Sequence, residues 1–156
     1  FMAHDDPMIV SEHRVSYANT EELEDIIRPD ADITLFPISA TRFEAVKAAQ
    51  QLAEEGIICN IVHILWLKPF VADERLTQPL MHTRRGLVID AGHEIAGASQ
   101  SIAYQLTQAT AIPVKALGLE DHTKCLCQPF KNEIPTAKRI AETIRTIFTT
   151  ELGSHV

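Results

Sequence analysis

The sequence predicts an α/β domain built on a largely parallel sheet with helices on both faces. Four apolar runs, at 32–39, 57–67, 86–92 and 112–119, have the length and composition of strands. They are nearly continuous in apolar residues instead of alternating, which is the pattern of strands covered on both sides. Amphipathic segments separate them, so each strand is expected to return through a helix and lie parallel to the others.

The first segment, "DPMIVSEHRVSY" (6–17), begins as a short apolar strand and turns polar. "ANTEELEDIIRPDA" (18–31) is acidic, carries a proline and reads as a surface connection. "DITLFPIS" (32–39) is a buried strand that Pro37 should close, because proline has no amide hydrogen to give a ladder. In "TRFEAVKAAQQLAEEG", Thr41 and Glu44 have capping-box spacing, and Phe43, Val46, Ala49 and Leu52 are expected to form the apolar face. Gly56 stands where a left-handed C-terminal cap belongs.

"IICNIVHILWL" (57–67) is the second strand, and "DERLTQPLMHTRR" (73–85) reads as a weak helix interrupted at Pro79. "GLVIDAG" (86–92) is a short buried strand, followed by a helix rich in small residues at 96–110 and a strand at 112–119. An irregular loop over 120–134 leads to a last helix over 135–152. Pro135 and Thr136 open that helix, and Ile140, Ile144 and Ile147 lie on one side.

The 156 residues suffice for one domain with a real core. A net charge of −7 without a basic stripe argues against nucleic acid, and no apolar run reaches the roughly 20 residues that span a bilayer. "FMAHDDPMIV" lacks the basic-then-apolar order of a signal peptide, so a cytoplasmic protein is expected. Phe1 ahead of Met2 leaves open a fragment or a freestanding domain. Cys59 lies in a strand pattern and should pack as a small hydrophobe, while Cys125 and Cys127 lack redox or zinc spacing.

Ligands of such sheets gather at the carboxyl ends of strands, where Ser39, Lys68, Asp90, His93 and Glu120 are expected. "AGHEIAGAS" has no GxGxxG spacing, and no serine occupies a GxSxG elbow. Gly97 and Ser99 either offer free helix amides to an anion or are small because another backbone lies close; the second reading is preferred. His93, beside Glu94 and near Asp90, has the chemistry of a general acid or base, yet from the sequence alone the preferred reading is a turn histidine bonded to a backbone carbonyl. Glu12-His13-Arg14 reads either as a ligand contact or as a solvated strand end. Seven scattered histidines give no metal-ligand spacing. The residues alone therefore describe a scaffold without a self-sufficient catalytic set.

The order of phrases resembles a known family. "DITLFPISATRFEAVKAAQQLAEEGIICNIVHILWLKPF", "GLVIDAGHEIAGASQSIAYQL" and "IPTAKRIAETI" are similar to successive units of the transketolase superfamily's C-terminal domain. "DPMIVSEHRVSY" resembles the end of the preceding pyrimidine-binding domain in one branch, the beta subunit of thiamin-dependent 2-oxo acid dehydrogenases of the pyruvate, branched-chain or acetoin type. The resemblance implies a three-layer α/β/α fold on a mixed, mostly parallel five-stranded sheet with one antiparallel strand. It divides the chain into 1–31 (tail of the preceding domain and linker), 32–150 (the C-terminal-like domain) and 151–156 (tail).

It also implies that this chain alone binds no cofactor. In the family the diphosphate, its magnesium and the carboxylate that activates thiamin diphosphate belong to other domains. The implied work is subunit assembly with the chain's own copy or an alpha-type subunit, bordering the substrate channel, and docking to the acyltransferase core. His93 then supports the centre from a distance, and Glu94, Gly97, Ser99 and Lys68 become candidates for the interface or channel. Ala91 stands where the family usually has Glu, Pro37 lies near a usual Gly, and 120–134 departs from the branch's proline-rich stretch. The alternatives are a transketolase or deoxyxylulose-phosphate synthase relative and a freestanding protein-interaction module.

Overall fold

A computed structural model describes residues 23–121 and 133–153, together with Ile9 and Thr20, with no side-chain detail beyond 150. The expectations for the strand at 6–17, for Glu12-His13-Arg14 and for Cys125 and Cys127 lie outside the described residues.

The elements alternate as foreseen: β1 (Ile33–Pro37), α1 (Thr41–Glu54), β2 (Cys59–Ile61), α2 (Glu74–Thr83), β3 (Gly86–His93), α3 (Ala98–Thr110), β4 (Val114–Leu119) and α4 (Ala137–Gly153). The four strands pair in parallel in the order β2-β1-β3-β4. Among the described residues the sheet thus has four strands where five were implied, and its one antiparallel pairing is an isolated bridge, in which Ile26 and Ile61 exchange both backbone hydrogen bonds at 2.8 Å and cover the outer edge of β2.

Alternation along the strands divides the core in two. Ile33, Leu35, Leu87 and Ile89 face Leu52, Ile140 and Ile144 of α1 and α4. Phe36, Val62 and Val88 face Leu76, Leu80, Ile102 and Leu106 of α2 and α3. The result is the three-layer α/β/α arrangement.

Three local expectations are corrected. Thr41 and Glu44 do not form a capping box, since no side chain caps the start of α1 at Ala40. The Thr41 hydroxyl is buried instead: it accepts from the Ile38 amide at 3.1 Å and lies 2.7 and 2.9 Å from the Ile38 and Ile89 carbonyls, fastening α1 to both central strands. The buried line of α1 is Thr41, Ala45, Ala48 and Leu52, with Val46 and Ala49 packed partly against the core. Small alanines let the helix settle closely on the sheet, and this turns Phe43 toward the flank.

The third correction concerns Pro79, which does not interrupt α2. Asp73 accepts from the Leu76 amide at 3.2 Å, and burial of Leu76 and Leu80 outweighs the hydrogen bond that proline forfeits. Gly56 does occupy its left-handed cap at φ +82°. Its amide bonds the Ala53 carbonyl, and the Ile57 amide bonds Leu52, the paired pattern that ends a helix and turns the chain straight into β2.

Candidate functional site

Because the strands are parallel, the residues singled out beforehand share the sheet's carboxyl edge. Ser39 follows β1 at φ +55°, Lys68 lies exposed after β2, Asp90 and His93 sit on β3, and Glu120 follows β4. Lys68 stands apart from the β3 corner. β1 separates β2 from β3, so the two loops start about 10 Å apart at ordinary strand spacing.

The corner at the end of β3 is a bulge followed by a tight turn. Ile89 pairs with Leu117 and His93 with Leu119, so β3 spends two more residues than β4 over the same length. The slack arches over Gly118, where a Cβ would meet the Glu94 amide nitrogen and the Gly92 carbonyl oxygen at 2.7 Å each. Glu94 fastens the arch: its amide donates to the Leu119 carbonyl at 3.0 Å and its carboxylate accepts from the Gly118 amide at 3.3 Å. Ala96 then takes φ +58°, and a Cβ on Gly97 would collide with the His93 carbonyl oxygen. Gly97 is small because a backbone lies against it, the preferred of the two sequence readings.

Among the described residues the side chains at this corner do not assemble into a catalytic relay. His93 points into solvent, while Asp90, 9% exposed, faces the α2/α3 layer by strand alternation. The fully buried Ser99 hydroxyl has no hydrogen-bond partner. Among the described residues no group of three His, Cys, Asp or Glu side chains gathers closely enough to hold a metal ion. Among the described residues the corner therefore offers no donor set that fits a diphosphate–magnesium cradle. Burial pushes the Cys59 thiol up to about 12, with Asp32 adding to the effect, so it packs as an inert apolar group.

Around these polar groups the carboxyl edge presents apolar surface. Leu65, Leu67, Val71 and Ile95 are exposed by 65, 47, 64 and 53% in the loops after β2 and β3. Lys68 lies within this apolar stretch, next to a cis bond to Pro69.

Sequence reading missed a second polar cluster, where the connection ahead of β1 crosses the end of β2. Asp25 accepts the His63 amide at 2.9 Å and two hydrogen bonds from Arg75, at 2.7 and 2.9 Å. Arg75 also reaches the His63 carbonyl at 2.8 Å, and His63 Nε2 lies 3.1 Å from the Glu24 carbonyl. The partners are 12 to 50 positions apart, so no local spacing announces them. Beside the cluster an open groove of about 510 Å³ runs between the connection and α2, with Arg28, Gln78 and His82 among its lining residues. Among the described residues no helix is long and apolar enough to cross a membrane.

Comparison with known proteins follows the same outline. The profile of the family described as "Transketolase, C-terminal domain" matches residues 24–133. The chain is 28% identical to the beta subunit of acetoin:2,6-dichlorophenolindophenol oxidoreductase from Cupriavidus necator, over 90% of this chain and 46% of that one. It is 23% identical to the pyruvate dehydrogenase E1 component subunit beta of Bacillus subtilis, over 91% and 48%. It is also 23% identical to a 6-deoxy-6-sulfo-D-fructose transketolase subunit from a Clostridium species, over 77% and 39%. Among solved structures, a split-gene transketolase described as an inactive beta4 tetramer superposes with a TM-score of 0.63 at 24% identity, covering 76% of this chain and 38% of that one. The chain thus spans less than half the length of each.

Proposed function

Since the chain belongs to the transketolase C-terminal domain family, we propose that it is the C-terminal domain of a β-type subunit of a thiamin-diphosphate-dependent 2-oxo acid dehydrogenase. The carrying observation is the reach of the similarity. The two β-subunit relatives match over 90 and 91% of the chain, whereas the sulfosugar transketolase subunit matches over 77%. The additional stretch favours the branch to which the β subunits belong.

In this reading the domain performs no chemistry by itself. Thiamin diphosphate, when bound, supplies the electron sink for decarboxylation, and it sits in the neighbouring domains. The carboxyl edge packs against those domains: Leu65, Leu67, Val71 and Ile95 make the apolar contact, and Lys68 and His93 border the substrate channel. Glu94, Gly97 and Ser99 act from behind by fixing the shape of the β3 corner. The partners are a second copy or an alpha-type subunit, and the acyltransferase core of the complex.

The test joins the chain to its native upstream sequence, adds the alpha-type subunit and measures decarboxylation of 2-oxo acids beside ketol transfer from sugar phosphates. Decarboxylation supports the proposal. Ketol transfer alone would favour the second reading, a transketolase subunit, which the sulfosugar transketolase relative supports. The chain by itself should show no thiamin diphosphate binding by calorimetry, and binding at millimolar concentration or better would overturn the reading.

A further inference from the structure

His63 is 2% exposed, and its ring lies under the connection that leads into β1. Since a carbonyl can only accept, Nε2 carries the ring proton given to Glu24, which leaves Nδ1 as a bare lone pair in the neutral ring. That Nδ1 is buried and has no hydrogen-bond partner. Every charged side chain facing it has a definite place. Arg42 approaches from α1, with its Nε buried and unpartnered and its Nη2 only 3.4 Å from the Leu23 carbonyl. Arg75 approaches from α2, and Asp25 and Glu24 belong to the connection. Asp25 is already engaged by Arg75 and by the His63 amide, while the Glu24 side chain lies exposed. A proton on Nδ1 would thus enter a buried position where the charges of Arg42 and Arg75 oppose it and where, among the described residues, no acceptor is bonded.

We infer that His63 is a proton-sensitive latch: while neutral it holds residues 23–26 on the edge of β2, and its protonation releases them. Burial, and after it the charge of Arg42, depresses the ring's proton affinity against the opposing pull of Asp25 and the Glu24 carbonyl. The latched value therefore lies below the released one. The latch is fully favoured above the ordinary imidazole value of about 6.5 and loses ground as pH falls below it. What it holds is the segment that carries the chain into its upstream residues, so opening it loosens this domain from whatever precedes it.

Amide hydrogen exchange of the whole chain reads the latch directly, because Ile26 and Ile61 each donate across the bridge. If the latched form refuses the proton altogether, their protection factors between pH 7.5 and 5.0 fall by up to about 30-fold, the ratio set by an open-state value near 6.5. Amides of Leu35 and Val88 in the central strands should keep theirs. H63Q, which retains a neutral donor for Glu24, should abolish the fall at Ile26 and Ile61. Unchanged protection in the parent chain, or the same fall in H63Q, overturns the inference, the latter by assigning the effect to the carboxylates. Should H63Q not fold, the imidazole titration of the parent chain by NMR decides: a His63 midpoint below about 6.5 is expected, and one at or above it overturns the latch.

Discussion

The carboxylate of Glu44, on α1, accepts the backbone N–H of Ala137 at 2.8 Å, so one helix caps another 93 positions downstream. Lys47 donates to its other oxygen, also at 2.8 Å, and Thr136 accepts the Arg139 amide at 3.3 Å as the ordinary cap of α4. Docking of α4 is therefore tied to a charge on α1.

E44A should cost about 1 kcal/mol of stability near neutral pH, the usual worth of a helix cap. The hydrogen bond from Lys47, the Ala137 amide and the charge of Lys47 together hold the Glu44 carboxyl below its usual range, against the opposing effect of burial. Since the folded value is the lower one, its contribution is present above the unfolded value of about 4.3 and is lost as pH falls through the folded value. Urea unfolding at pH 7 and pH 3 should show a deficit for E44A that shrinks in acid. A deficit unchanged by pH would remove the charge from this account.

The β3 corner should tolerate side chains very unevenly. G97A drives a methyl into the His93 carbonyl, and G118A drives one into the Glu94 amide and the Gly92 carbonyl. Each should cost about 1–3 kcal/mol, because backbone must move. At Gly92 the new methyl meets only the Asp90 side chain at 3.0 Å, so G92A should be milder. Denaturant midpoints of the three variants check this order.

Two buried hydroxyls should respond in opposite ways. T41V leaves the Ile38 amide its 2.8 Å bond to the Ile89 carbonyl but removes the hydroxyl proton shared between the Ile38 and Ile89 carbonyls, at a cost of about 1 kcal/mol. S99A removes a buried hydroxyl that bonds nothing, so stability should hold or rise by up to about 1 kcal/mol. Thermal melts of both variants decide, and a destabilised S99A would mean that the hydroxyl has a partner after all.

The proposed packing edge is open to a direct trial. L65E and I95E place charge on side chains already exposed by 65 and 53%, so the separate chain should keep its stability within about 0.5 kcal/mol. Mixed with the upstream and alpha-type partners, both should sediment as unassembled chains. Full assembly of both variants would move the contact elsewhere.

What could be read from the sequence was whatever is local and periodic. The apolar runs around Leu35, Val62, Val88 and Leu117 gave the strands, Gly56 the end of α1, and Thr136 the start of α4. Reading failed where a side chain found a distant partner better than its local one. Thr41 and Glu44 have capping-box spacing, yet one bonds β3 and the other α4. Gly118 carries no local sign that another strand arches over it, and the Asp25–His63–Arg75 cluster is assembled entirely by tertiary contact. The residues singled out in the sequence do lie at the sheet's carboxyl edge because parallel topology fixes that edge, but topology does not say which side chains turn inward, as Ser99 does.

The order β2-β1-β3-β4 puts the earliest strand of the sheet in its interior. A nascent polypeptide emerging from the ribosome completes 33–61 as a parallel strand–helix–strand unit whose first strand still lacks a neighbour on one flank. Until residues 86–93 are synthesised, the main-chain groups of Thr34 to Pro37 on that flank have only water to bond. Translation arrest or proteolysis between 62 and 85 would therefore yield an adhesive fragment, and chaperone demand during synthesis should peak over that interval.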